Sequence, residues 1–114
     1  MIRKSVCVAS LAAMIVLFFT VSPSITAKAQ QPTAVEVKID NFSFGPQAQS
    51  VPAGTTVTWT NRDDIPHTVV STDGVFKSKV LDTDEKFSYT FAKAGTFAYF
   101  CSIHPKMTGK IVVQ

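Results

Sequence analysis

From Val35 onward, apolar side chains recur at every second position, with turn-forming residues between the runs and no competing helical period. Val35, Val37 and Ile39 alternate with Glu36 and Lys38, and Phe42 and Phe44 continue the segment until Gly45-Pro46 breaks it. Val51 precedes a turn at Pro52-Ala53-Gly54. Val57 and Trp59 then face one way and Thr56, Thr58 and Thr60 the other, as in a half-buried strand. After the polar loop Asn61-Arg62-Asp63-Asp64, His67 to Ser71 reads as a strand, and Phe76, Ser78 and Val80 as a weaker, irregular stretch. Phe87, Tyr89 and Phe91 alternate cleanly. Ala94-Gly95 turns the chain into a strand on which Phe97, Tyr99 and Cys101 share a face, and Lys110 to Val113 closes the pattern. Seven or eight short strands without a long helix predict an all-β fold, a two-layer antiparallel sandwich with Greek-key connections. Such a fold hosts many functions, so side-chain chemistry must decide among them.

The first 29 residues have a different pattern. Met1 to Lys4 is positively charged, Val6 to Val21 is an apolar run of 16, and Ala27-Lys28-Ala29 is a small-residue cleavage pattern. This predicts an export signal over 1–29 and one domain over 30–114, placed in the periplasm or outside the cell. The alternative is an anchor that stays in place, but Pro23 ends the apolar run short of the roughly 20 residues a spanning helix needs. Charge follows the same division. The chain carries 11 Lys+Arg against 8 Asp+Glu, and Arg3, Lys4 and Lys28 lie in the leader, so the domain is balanced and offers no basic surface for nucleic acid.

Removing the leader also removes Cys7, which leaves Cys101 alone and rules out a disulfide within the domain. A domain this small usually gains from a staple, and metal is the one that remains. The domain holds one Cys, two His and one Met, three of them inside Cys101-Ser102-Ile103-His104-Pro105-Lys106-Met107. The fourth, His67, follows Ile65-Pro66. A thiolate, two imidazoles and a thioether are the donors of a His2Cys copper site with a weak axial Met. Cys101 is soft enough to serve both copper oxidation states, the imidazoles of His67 and His104 satisfy Cu(II) without excluding Cu(I), and Met107 favours the reduced state. Zinc would accept the same Cys and His, but it binds thioether poorly and would want a carboxylate, for which Asp63 and Asp64 are the nearest candidates. A redox thiol pair lacks its second cysteine. Two histidines cannot furnish a second copper centre, so a multicopper oxidase or nitrite reductase is excluded and no enzyme is expected.

At these residues the chain resembles the cupredoxins, the small blue copper proteins, most of all their amicyanin branch, then plastocyanin and pseudoazurin. The resemblance runs from about Asp40 to the end and rests on Val57-Thr58-Trp59-Thr60-Asn61, Pro66-His67, the short C-x2-H-x2-M loop and the closing Gly109-Lys110-Ile111-Val112-Val113. It departs at Thr68, where those relatives usually carry an Asn that ties the first histidine strand to the cysteine loop. The resemblance implies a monomeric one-electron carrier with one copper per chain and ligands His67, Cys101, His104 and Met107. Electrons would pass at the His104 edge, through an apolar patch of Ile103, Pro105, Phe44, Pro46, Ile65 and Pro66 that redox partner proteins meet briefly. Its alternative is a copper-buffering or delivery protein, for which surface Met or His tracts would argue; the domain has none beyond the four site residues. Mass analysis of exported protein is expected to give a chain beginning at Gln30. A product that retains Val6 to Val21 would mean an anchored form.

Overall fold

The alternation does form strands. In the computed structural model of the protein, which describes residues 15–20 and 33–114, eight strands are present and no helix occurs among the described residues. They are β1 (Ala34–Asp40), β2 (Ser43–Gly45), β3 (Ala48–Val51), β4 (Thr55–Asn61), β5 (Val70–Ser71), β6 (Lys86–Phe91), β7 (Gly95–Phe100) and β8 (Thr108–Val113). Residues 15–20 carry no regular structure, and no helix there is long and apolar enough to cross a membrane. The charged start of the leader, Cys7 and the Ala27-Lys28-Ala29 cleavage pattern lie outside the described residues.

Two four-stranded sheets face each other, ordered β2-β1-β4-β6 and β3-β8-β7-β5. They are mixed, which corrects the expected all-antiparallel sandwich: β1 pairs in parallel with β4, and β3 in parallel with β8. The cause is the route of the chain. After β2 it crosses to the other sheet as β3 and returns at Pro52-Ala53-Gly54, so β4 re-enters beside β1 running the same way, a pairing that needs such a crossover.

The first segment also differs from one continuous run. Asp40 pairs with Ser43, so Asn41 and Phe42 form a two-residue hairpin loop between β1 and β2. Both have positive φ, 51° and 55°. Tight hairpins favour that left-handed geometry and normally meet it with Asn followed by Gly. Here Phe occupies the glycine position.

The inward faces supply the core. Val37, Ile39, Val57, Trp59 and Phe91 come from one sheet, and Val51, Tyr99, Ile111 and Val113 from the other. Trp59 is fully buried, with its ring centroid 5.3 Å from Tyr99 and 5.6 Å from Phe76. Thr60, expected on the polar face with Thr56 and Thr58, is fully buried next to Asn61, where the backbones of Asp84 and Glu85 bond back onto the strand. Phe76 to Leu81 is irregular as expected, meeting the first histidine strand through the bridges Val70–Lys77 and His67–Leu81 and through bonds of Phe76 to Ser71 and of Ser78 to Val69.

Gly109 lies opposite Tyr99 across β7 and β8. A Cβ there would sit 2.5 Å from the Tyr99 hydroxyl end, and the ring, 1% exposed, has no room to retreat. Gly109→Ala should therefore destabilise the fold by roughly 1–3 kcal/mol, the usual cost of overpacking. The midpoint of urea unfolding measures it, and an unchanged midpoint would mean that Tyr99 repacks freely.

Candidate metal centre

Three of the four expected ligands meet at one end of the sandwich. Cys101 stands just past β7, His104 lies in the loop that leads to β8, and His67 sits before β5, held by backbone bonds to Leu81 in both directions. One donor atom from each of His67, Cys101 and His104 lies within 4.8 Å of the others. Each histidine presents Nδ1 to Cys101 Sγ, both at 3.8 Å. The loop is closed by its own backbone: Cys101 N–H donates to the Met107 carbonyl at 3.0 Å, and Met107 N–H to the His104 carbonyl at 2.9 Å. That fold-back ties the Met107 backbone to Cys101 and His104, and its side chain is buried in the core.

Asp63 fixes His67. Its carboxylate accepts from His67 Nε2 at 2.7 Å, from Asn41 N–H at 2.7 Å and from Phe42 N–H at 3.1 Å. Burial pushes the Asp63 carboxyl up, but the bonds from Phe42, Asn41 and His67 outweigh it and hold the group below its ordinary value. An ionised carboxylate only accepts, so Nε2 carries a proton toward Asp63, and Nδ1 is the nitrogen turned toward the sulfur. Asn61 shapes the approach to this histidine. Its fully buried amide donates to the Ile65 and Leu81 carbonyls, both at 2.8 Å, and its oxygen accepts from Asp63 N–H at 2.9 Å.

Cys101 is fully buried, which alone would raise its pKa. Bonds from the Thr68 backbone, the two imidazoles and the His104 backbone more than offset burial and bring the thiol down to about 6. The thiolate therefore prevails at neutral pH, as a metal ligand requires. Thr68 does the linking work expected of an Asn. Its N–H points at Cys101 Sγ at 3.4 Å, and its hydroxyl accepts from Ser102 N–H at 2.8 Å and pairs with Ser102 Oγ at 2.7 Å.

One soft cysteine sulfur and two imidazoles fit copper. The zinc alternative loses its carboxylate, because Asp63 is committed to the far nitrogen of His67 and to two backbone amides, and Asp64 is exposed.

The structure corrects one member of the expected surface patch and adds another. Phe44 is 3% exposed and packs edge-on against Tyr99 at 4.7 Å, because it pairs with Ile39 and shares that residue's inward face. Phe42 is the exposed aromatic instead, with its ring edge-on to both His67 and His104. Ile103, Pro105, Pro46 and Pro66 are exposed and Ile65 half-buried. Sequence reasoning missed the roles of Asp63, Asn61 and Phe42. The spacing of Asp63 four residues before His67 was a usable signal for the first, whereas nothing local marks the other two.

Residues 10–113 match the family model for a cupredoxin-like domain, a span that starts inside the expected leader. Among curated relatives, amicyanin of Paracoccus denitrificans is 37% identical over 71% of this chain, and amicyanin-alpha of Methylorubrum extorquens 38% identical over 71%. The match spans 66% of the first relative's length and 72% of the second's. Among solved structures, a purple cupredoxin from Nitrosopumilus maritimus superposes with a TM-score of 0.66 at 33% identity, covering 70% of this chain and 99% of that one. A reduced amicyanin variant gives a TM-score of 0.68 at 37% identity, covering 71% and 82%.

Asp63→Asn keeps the side-chain volume but weakens the acceptor that sets the His67 proton. Copper affinity should fall by about 10- to 100-fold, the range for partners behind a ligating histidine. Competition titration against a chelator reads it, and unchanged affinity would show that His67 needs no such support.

Proposed function

Because the chain belongs to the cupredoxin-like family, whose members bind copper and typically transfer electrons, we propose that it is an exported one-electron carrier with a single blue copper site. When bound, copper would supply the redox couple and an intense visible band from its bond to thiolate sulfur. The observation that carries this reading is the convergence of the Nδ1 atoms of two imidazoles on one buried cysteine sulfur.

His67 and His104 would hold the metal through Nδ1 and Cys101 through Sγ, with Met107 as a weak thioether donor on the same closed loop. Asp63 keeps the His67 ring in one tautomer and one orientation. Thr68 and the loop's own backbone bonds keep Cys101 and His104 from moving apart, so the ligands change little between oxidation states. His104 is partly exposed amid Ile103, Pro105 and Pro66, and this edge is where a redox partner docks briefly. The leader over 1–29 directs the carrier, a monomer, to the periplasm.

Copper-loaded protein is expected to be intensely coloured, to bleach on reduction, and to regain its colour on reoxidation with a moderate excess of a Cu(I) ligand present. Cys101→Ser should abolish the band, while Met107→Leu should leave an altered but coloured site. A serine variant that stays blue would sink the assignment of Cys101. Complete surrender of copper on reduction would favour a delivery role.

A further inference from the structure

Phe42 is an anomaly twice over. A bulky aromatic sits in a left-handed position where a tight hairpin normally places glycine, and its side chain is 54% exposed. An outlier of this kind needs surroundings that over-determine it, and such outliers concentrate at functional sites. The surroundings are the Asp63 carboxylate, which takes the N–H groups of both Asn41 and Phe42 while holding His67. So the same group that orients one histidine also orients the turn that carries the ring.

The ring is used. Its centroid lies 5.1 Å from His104 and 5.8 Å from His67, with interplanar angles of 88° to both, while the two imidazoles are 5.1 Å apart. Phe42 therefore meets both rings edge-on. It also lines a small cleft that it shares with Lys106 and Met107, so the one ring borders both that cleft and the two imidazoles. Of the two, His104 depends on it more. His67 has Asp63 on its far nitrogen and a backbone bridge to Leu81, whereas His104 lies on a loop and half-exposed, and among the described residues no side chain other than Cys101 bonds its ring.

We propose that Phe42 is a positioning residue for the metal site: its ring is a wedge that fixes the His104 imidazole and blocks small ligands from entering along the Met107 cleft. The proposal rests on the copper reading above only for its second half, since the orientation of His104 belongs to the protein alone.

The test compares wild type with Phe42→Ala, Phe42→Leu and Phe42→Tyr. In metal-free protein, NMR of the His104 ring should show one orientation in wild type and Phe42→Tyr and averaging in Phe42→Ala and Phe42→Leu, which lack the ring edge. In copper-loaded protein, Phe42→Ala should release copper to a chelator about 3- to 10-fold faster, the range an edge-to-face ring pair supplies. It should also change its visible spectrum on adding azide, while wild type and Phe42→Tyr do not. Phe42→Leu keeps apolar bulk and should exclude azide although His104 is freed. Should Phe42→Ala not fold, Phe42→Leu replaces it in the NMR comparison and Phe42→Gly, which suits the left-handed turn, in the copper-release and azide tests. A His104 ring equally fixed in all four proteins would overturn the positioning role, and equal azide exclusion by Phe42→Ala would overturn the barrier. A wild type that binds no copper would overturn the metal reading and leave the NMR comparison to decide the rest.

Discussion

One buried carboxylate organises the metal end of this protein. Asp63 accepts three N–H donors, its own N–H goes to the Asn61 amide, and its carbonyl accepts the Thr83 hydroxyl at 2.6 Å. It thereby joins the β1–β2 hairpin, the end of β4, the first histidine and the stretch before β6. A carboxylate taken out of water is costly unless its oxygens are satisfied, so the donors are obliged to stay. That obligation is what keeps two left-handed residues in the hairpin and one tautomer on His67. Metal geometry here is thus a by-product of satisfying a charge.

The sulfur poses the same problem from the other sheet. Cys101 is fully buried, and a thiolate there is tolerable only because N–H and imidazole groups surround it. Thr68 contributes twice, once to the sulfur and once to the residue after it. Each half of the site is therefore set by hydrogen bonds within the protein. A metal ion would find the three donors of His67, Cys101 and His104 already gathered.

Much of this was legible in the sequence, and the rest fails for identifiable reasons. Alternation announced the strands because a half-buried sheet forces it. The candidate ligands stood out because soft donors are few and fall almost all within Cys101 to Met107. Strand direction was not legible: whether β4 runs with or against β1 depends on where β3 goes, which no local pattern records. Nor was the exchange of Phe44 for Phe42. Residues two apart share a face on a continuous strand, and only the left-handed hairpin at Asn41-Phe42 breaks that parity. Asp63 read as a polar loop residue because acidic side chains are mostly exposed, and its burial follows from donors brought in from 21 and 22 residues away.

The order of strands in the second sheet has a consequence for biogenesis. The ligand loop lies between β7 and β8, and β8 is not an edge but sits between β3 and β7. Until residues 108–113 are in place, β3 and β7 have nothing to join them, and the carbonyl that closes the loop at Met107 has no sheet to anchor it. A partial chain that already holds Cys101 and His104 would still present them as loose donors. The gathered donor set is therefore a property of the completed domain and not of the loop alone.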